Sequence, residues 1–456
     1  MIVMKFGGSS VADASRLKHV ASIVKTQLDK KPLLVLSAMG DTTDHLLEAA
    51  DMALKEGKVN VKDVEKLHQE TVKALKLTGV QKEIASLLDE LSRLLSGIAL
   101  IKELTPRTKD YLVSFGERLS VRIAAAYFMS VSMNAKAFDA FDVGFISNSN
   151  YTQAELEKES WDLIPEKILP LIKGNVVPVV TGFIAKDDKG RITTLGRGGS
   201  DLSATMIAAA CKADEVQVWK DVDGILTADP RIVKNARPVE HVTYDEASEL
   251  AYFGAQVLHP RAMQPCMKTN TPVLVKNSYN INAAGTRIEN TLSGTKKSPP
   301  VRAITSKHKV TLVDIVSTRM LGQYGFLAEV FTVFAKYNIS IDMVATSEVS
   351  VSLTLDTAFD LTEVKKELNK IASVEVKTGK AIVSIIGNVK RSSEILVRSF
   401  RICQLLGVTV QMISQGASKV NISFIVNDTE AAEVVKALHL EFFDTNDRPA
   451  QSNPKE

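Results

Sequence analysis

The first forty residues constrain the fold more than any other stretch. Ile2-Val3-Met4-Lys5-Phe6 is an apolar run of strand length, and Gly7-Gly8 ends it. From about Asp13 to Leu28, Leu17, Val20, Ala21 and Val24 recur at helical spacing. Leu33-Leu34-Val35-Leu36-Ser37 is a continuous apolar run, the pattern of a parallel strand covered on both faces. Strand, helix and strand in that order make a βαβ unit, which requires a sheet with helices packed on it. The alternation continues. Residues 44–100 are helical in pattern, strands are predicted at 135–138, 176–181 and 216–219, and helices after Ser114 and after Gly199. A large α/β layered domain is therefore expected to about residue 280.

Asn282–Pro300 is rich in Gly, Ser, Thr, Lys and Pro and reads as a linker. Beyond it the pattern changes. Strands are predicted at 310–316, 339–343 and 349–355, the last with Val349, Val351, Leu353 and Leu355 alternating against polar residues. A helix is predicted at 326–337, with Phe326, Val330, Phe331 and Phe334 together as core. A helix near 362–371 and a strand at 374–376 complete the order βαββαβ, a ferredoxin-like unit. The order then repeats, with strand 381–386, helix 393–406 closed by Gly407, strands 408–413 and 420–426, and helix 429–438. This copy lacks a last strand, and 301–305 is a spare one. The expected organisation is a domain over 1–295 and a first unit over 307–378. That unit is inserted within a second, made of 301–306 plus 379–445, and a disordered tail covers 446–456.

Composition excludes several classes. A length of 456 residues suggests about three domains. Net charge is +3 with no long run of like charges, so neither nucleic acid nor a membrane surface is an expected partner. No apolar stretch reaches the roughly 18 residues of a membrane span, and no signal peptide is expected. Cys211, Cys266 and Cys403 form no Cys-x-x-Cys and read as buried hydrophobes in a reducing compartment, with the cytoplasm the expected location.

Two glycine-rich turns carry the candidate chemistry. Lys5-Phe6-Gly7-Gly8-Ser9-Ser10 lies where a strand turns into a helix, so its amides can meet phosphate oxygens and Lys5 can reach the β- and γ-phosphates. Alone, it is equally a tight turn with a surface lysine. Gly196-Arg197-Gly198-Gly199-Ser200-Asp201 opens another helix and is denser. It joins an anion nest, a guanidinium fork and a carboxylate, although Ser200 or Asp201 would also serve as a plain N-cap. The P-loop and Gly-x-Gly-x-x-Gly patterns are absent, which argues against those nucleotide folds. Seven histidines show no metal spacing, and His259 reads as structural.

These stretches resemble a known family. Lys-Phe-Gly-Gly-Ser-Ser-Val at 5–11, Leu-Ser-Ala-Met-Gly at 36–40, Ser-Phe-Gly-Glu-Arg-Leu-Ser at 114–120 and Gly-Arg-Gly-Gly-Ser-Asp at 196–201 are similar to aspartate kinases. So are Asp-Val-Asp-Gly-Ile at 221–225, Thr-Ala-Asp-Pro-Arg at 227–231 and Val-Leu-His-Pro at 257–260. The C-terminal repeat resembles the paired ACT units of the same enzymes, so the resemblance covers about residues 1–445. The stretches at 320–331 and 346–351 look most like the lysine-sensitive, monofunctional bacterial group.

The resemblance implies a three-layer αβα sandwich of amino-acid-kinase type with a mostly parallel sheet, followed by two ACT units. It implies ATP-dependent phosphorylation of the side-chain carboxylate of L-aspartate with Mg²⁺, the first step towards lysine, threonine and methionine. Lys5 and Asp201 would be catalytic, Lys5 on the transferring phosphoryl group and Asp201 organising the lysine and the metal-bound phosphates. Gly7, Gly8 and Ser9 would cradle phosphate, and Lys220, Asp221, Leu226, Arg231, Gln256 and Val257 would line the nucleotide pocket. Thr43, Glu117, Arg197, Gly198, Gly199 and Ser200 would bind aspartate, Glu117 through its ammonium and Arg197 through its α-carboxylate. No protein metal ligand is implied. Lys220 and Gln256 depart from the family pattern, which often has Thr and Lys there. An acceptor carboxylate with a pKa of about 3.9 is already ionised, so a basic, glycine-rich site without a general base suits this reaction.

ACT units imply an amino-acid effector bound between units, often at a dimer interface, and a homodimer or tetramer. Asp342 would hold the effector's ammonium, and Met320, Gly325, Phe326 and Leu327 its carboxylate. Ser340, Thr346, Ser347 and Glu348 would complete the pocket. Without the resemblance these positions read as a loop and strand edge with Asp342 solvated. L-Lysine is the expected effector and L-threonine the alternative. The rivals are a kinase for another carboxylate, such as glutamate, and a non-catalytic amino-acid sensor.

Overall fold

The computed structural model describes residues 1–253, 258–291, 300–317, 324–356, 358–416 and 418–444. Gln256, Val257, Met320 and the tail over 446–456 lie outside the described residues. The chain divides into two compact units, Met1–Ile225 with Glu240–Tyr244 and Val257–Leu292, and Leu226–Val239 with Asp245–Gln256 and Ser293–Glu456.

The first unit carries strands β1 (Ile2–Phe6), β2 (Pro32–Leu36), β3 (Ala135–Phe138) and β4 (Val177–Thr181). A separate hairpin of β5 (Ile184–Lys186) and β6 (Ile192–Thr194) follows, then β7 (Glu215–Lys220), β8 (His241–Thr243), β9 (Val273–Asn277) and β10 (Thr286–Glu289). The eight-stranded sheet runs β3-β4-β2-β1-β7-β9-β10-β8. It is parallel from β3 to β9, and β10 is antiparallel to β9. β1, β2 and β4 are buried along their whole length, as strands covered on both faces must be.

Helices α1 (Ala14–Lys25), α2 (Thr42–Glu56), α3 (Lys62–Ala74), α4 (Gln81–Ile101) and α5 (Pro106–Ser130) are followed by α6 (Ser160–Lys173) and α7 (Gly199–Ala210). α8 (Tyr244–Tyr252) and α9 (Pro260–Thr269) come next. Ile2, Met4 and Phe6 enter one core with Leu17, Leu46, Leu91 and Leu119 from α1, α2, α4 and α5. The alternate positions of β1, Val3 and Lys5, lie on the face against which α7 packs, with α9 beside it. This is a helix–sheet–helix sandwich. Local chemistry sets its helix starts. The Asp13 side chain accepts from the Arg16 N–H, and Thr105 caps α5 ahead of Pro106.

The second unit holds one six-stranded antiparallel sheet. Its strands are β11 (Val301–Val316), β12 (Met343–Thr346), β13 (Ser350–Asp356), β14 (Ser373–Gly387), β15 (Met412–Ser414) and β16 (Asn421–Asn427), in the order β12-β13-β11-β14-β16-β15. Val313, Ile315, Val351 and Leu353 pack with α10 (Phe326–Lys336) and α11 (Thr362–Leu368). Ile304, Ala381, Val383 and Phe424 pack with α12 (Ser392–Leu405) and α13 (Asp428–His439). Val310, Leu312, Ile382 and Ile425 join Phe253 in a further cluster. A capping box of Asn427 and Glu430 starts α13.

The α-helix begins at Ala14 with Asp13 as its cap, as the periodicity from about Asp13 predicts. Several other expectations needed correction. Gly7-Gly8 leads into a short 3₁₀ turn, Gly8–Val11, rather than directly into that helix. α5 begins at Pro106, eight residues before Ser114. Thr286–Glu289, placed in the linker, is a strand of the main sheet, too short to show a pattern. Ile339–Asp342 is not strand, because the Ile339 N–H closes on the Phe334 carbonyl at the end of α10. The runs at 301–305 and 310–316 are one strand. A register shift falls at the polar break around Lys309, whose φ is +56°, and there the apolar pattern lapses without the strand ending. β14 likewise runs unbroken through 374–386. Residues 301–307 pair with 382–387, and 310–316 pair with both β13 and the first half of β14.

Candidate active site

The site lies at the carboxyl end of the central parallel strands. β1 is flanked by β2 and β7, with Lys5 level with Val35 and Val218. Brought round by the strand alternation, the Lys5 ammonium meets Asp201 in the first turn of α7, with Nζ 2.7 Å from Oδ1 and each side chain 11% exposed. Lys220 ends β7 in the same field. Burial lowers its pKa, with Asp201 opposing that shift and Lys5 adding to it. Two lysines thus share the neighbourhood of one buried aspartate, which leaves room for an anion. Asp221, next along, is exposed.

The glycines bring backbone close. A Cβ on Gly8 would stand 2.9 Å from the Ala38 carbonyl oxygen, and the Gly40 N–H donates to the Gly8 carbonyl at 3.1 Å. The loop after β1 therefore lies directly on the loop after β2. Lys5 Nζ lies 3.7 Å from where a Cβ on Gly7 would be, so the ammonium stands beside the turn. Gly198 has φ +73° and caps α7, and a Cβ there would lie 2.7 Å from His259 Cβ. Ser9 and Arg197 are exposed, and Ser200 is half-buried against Gly182.

Glu117 is the unusual group. It sits on α5, 4% exposed, and Oε1 accepts the Ala38 N–H at 3.2 Å. Oε2 is buried with no hydrogen-bond partner among the described residues. Burial pushes the carboxyl pKa up to about 8. Gly116, its neighbour, lets α5 approach Ala38 and Thr42, and Thr43 stands half-buried beside Thr42 at the start of α2.

The geometry thus gathers Lys5, Gly7, Gly8, Glu117, Asp201 and Lys220 around the ends of β1, β2 and β7. Leu226 and Arg231 belong to the second unit, where Arg231 is exposed and paired with Asp229 at 2.6 Å. His259 caps α9, its ring nitrogen accepting the Arg261 N–H at 3.3 Å. Sequence reasoning passed over the Ala38 N–H. The Gly40 that ends Leu-Ser-Ala-Met-Gly was the available signal for a tight turn there. It also missed Ser278, whose N–H and hydroxyl both donate to the Lys220 carbonyl, at 2.7 and 2.9 Å, and no spacing announces that contact.

The proposed effector residues lie in the second unit. Gly325, φ +91°, caps α10, with Phe326 buried and Leu327 exposed. Thr346 ends β12, and Ser347 closes the turn to β13, donating its N–H to the Ser350 carbonyl at 2.8 Å. Ser340 and Glu348 are exposed. Asp342 is not solvated. Its side chain is 5% exposed, 2.6 Å from Lys307 Nζ, and accepts from the Tyr252 hydroxyl at 2.8 Å.

Among the described residues no helix is long and apolar enough to cross a membrane, and no group of three or more His, Cys, Asp or Glu side chains is placed to hold a metal. A family model described as the amino acid kinase family matches residues 1–277, and one described as the ACT domain matches 313–370 and 383–442. Aspartokinase 1, chloroplastic, of Arabidopsis thaliana is 51% identical over 462 residues, covering 98% of this chain and 80% of the relative. A crystal structure of E. coli aspartokinase III in complex with aspartate and ADP (R-state) matches with a TM-score of 0.81 at 33% identity, covering 97% of this chain and 100% of that one. A second, in complex with lysine and aspartate (T-state), matches with a TM-score of 0.79 at 34% identity, covering 97% and 99%. The higher identity to the plant protein corrects the expectation of a bacterial type, which rested on two short stretches rather than on the whole chain.

Proposed function

We propose that this chain, which belongs to the aspartokinases of the amino acid kinase family, transfers the γ-phosphoryl group of ATP to the side-chain carboxylate of L-aspartate. The observation that carries this reading is Glu117. A buried carboxylate with one oxygen unpartnered is costly in a core and well made to receive an ammonium ion. Aspartate supplies that ammonium. Arg197 then forks onto the α-carboxylate, and Thr43, Gly198, Gly199 and Ser200 hold the rest of the substrate. Lys5 offsets the charge of the transferring group, held in place by Asp201. Gly7, Gly8 and Ser9 cradle the phosphates, and Lys220 and Asp221 line the nucleotide.

The acceptor needs no base, since it is ionised at neutral pH. Alignment of two anions and offset of their repulsion is what remains to be done. Mg²⁺ fits the donor set, because this cation keeps waters and phosphate oxygens as ligands and asks few carboxylates of the protein. Bound with the nucleotide beside Asp201, it would supply further neutralisation of phosphate charge. The test is ADP release from ATP and Mg²⁺ with aspartate as acceptor. Turnover with glutamate and none with aspartate would sink the assignment.

The second unit reads as two ACT units, 307–378 set within 301–306 plus 379–445, that assemble a homodimer or tetramer. L-Lysine is the proposed effector, and L-threonine the alternative. The E. coli relative solved with lysine and aspartate supports lysine. The assay repeated with each amino acid tests this, and inhibition by threonine alone would overturn it. We place the reaction at the head of lysine, threonine and methionine synthesis. The cytoplasm is the proposed location, since the three cysteines are free and buried, as in a reducing compartment.

A further inference from the structure

The first unit contains a cavity of about 740 Å³ that none of the proposed substrate, nucleotide or effector residues lines, within the size range of small-molecule sites. It lies along α5. Successive helical residues point about 100° apart, so Arg118 reaches the cavity while Glu117 faces Ala38. Four cations line it, Arg107, Arg118, Lys186 and Arg191, against one carboxylate, Asp139.

That carboxylate is already engaged. Asp139 accepts two hydrogen bonds from Arg122, at 2.8 and 3.1 Å. Arg191 is paired with Asp187 at 2.7 Å, and Lys186 Nζ stands 3.7 Å over the Phe141 ring. Arg118 is different. Its guanidinium lies 3.5 Å from Asp139 and 3.9 Å from Glu90, yet Nε and Nη1 are buried and donate no hydrogen bond among the described residues. Arg107, by contrast, has no ion-pair partner among the described residues and is exposed at the cavity. Thr105 and Thr108 place the amide-rich start of the 25-residue α5 at the same wall. Donors left over on a buried guanidinium are destabilising until an acceptor arrives.

The geometry points to a second anion site, in which this cavity binds a small organic dianion, a phosphomonoester or a dicarboxylate, through Arg107, Arg118 and Lys186. Phe141 supplies an apolar wall for its body. The site is separate from the proposed aspartate and nucleotide positions, so it stands whether or not that assignment does.

Calorimetric titration of the full chain tests it. A non-hydrolysable ATP analogue with Mg²⁺ and aspartate, all saturating, first keeps the probe out of the reaction site. Inorganic phosphate and succinate are then the probes. One-site binding is expected, weakened about tenfold or more by Arg107→Ala and by Lys186→Ala, each removing a charge-assisted contact, and unchanged by Lys5→Ala. Tighter binding of phosphate identifies a phosphomonoester, and tighter binding of succinate a dicarboxylate. Arg118→Gln, checked for its melting temperature, should abolish binding. No binding of either probe, or binding that the Arg107 and Lys186 variants leave unchanged, overturns the proposal.

Discussion

Each unit of the molecule holds a lysine–aspartate pair largely shielded from solvent, and the two pairs differ in what surrounds them. Lys5 and Asp201 meet at 2.7 Å in the first unit, Lys307 and Asp342 at 2.6 Å in the second. Around the first, charge is tilted positive, because Lys220 adds a second cation and the flanking loops are glycine, open to a ligand's oxygens. Around the second it is tilted negative. Asp356 also reaches Lys307, at 2.9 Å, and the Tyr252 hydroxyl closes over Asp342. The same ion pair therefore stands in opposite fields, which matches the sites proposed for them, one for phosphate and one for an ammonium ion. Parallel strands place the first at their carboxyl ends, where side chains from β1 and β7 and a helix start converge. Antiparallel pairing places the second across the sheet, where a lysine of β11 reaches past β13 to a residue that leads into β12.

Removing the lysine of the first pair should have the largest effect. Lys5→Ala is expected to lower kcat by about 10²–10³-fold or more, as loss of a preorganised charge at a developing anion does. It also leaves Asp201 buried without its cation and should lower stability by about 3 kcal/mol. Effector binding, read by calorimetry, should not move. Comparable loss of both functions would break the separation of the two pairs. Glu117→Gln comes next, with kcat/KM for aspartate down about 10²-fold. Its pH dependence is sharper still. With the free carboxyl at about 8, most of the protein at pH 7 must lose a proton to hold an ammonium, so kcat/KM for aspartate should rise with pH and level above about 8. In the absence of ligand the folded state holds this proton where the unfolded chain does not. Stability attributable to Glu117 should thus fall as pH rises from about 4.5 through about 8, and Glu117→Gln should abolish both slopes. A flat profile in the unaltered protein would contradict the role assigned to Glu117.

What could be read in advance follows from how local each feature is. The βαβ start and Gly7-Gly8 are contiguous, and simple alternation along β1 puts Lys5 opposite the Ile2–Met4–Phe6 core face. The state of Glu117 could not be read from pattern, because the Ala38 N–H that donates to it lies 79 residues away. Family resemblance named the residue but not its missing partner. Asp342 was visible as a charge beside an apolar stretch, yet Lys307, 35 residues away, fell in a polar break that read as the gap between two strands. The bulge at Lys309 hid both the continuity of β11 and the ion pair made from it. Periodicity detects faces, and it is blind to a strand that changes register without ending.

The second pair invites the two smaller perturbations. Asp342→Asn keeps the shape and removes the charge an effector ammonium needs. Half-inhibition by lysine should shift to about tenfold higher concentration or more, with kcat unchanged. Lys307→Gln should act the other way. In the unliganded protein the Lys307 ammonium occupies the carboxylates of Asp342 and Asp356, and its pKa is raised because these partners outweigh the opposing effect of burial. An arriving ammonium has to displace it. Without that competitor the two carboxylates are left for the effector, and lysine should inhibit at a concentration a few-fold lower, within about tenfold because the site is partly open to solvent. The concentration for half-inhibition decides the matter. Weaker inhibition in Lys307→Gln would mean that Lys307 positions Asp342 for the effector rather than standing in its place, and the two lysine–aspartate pairs would then be alike in function after all.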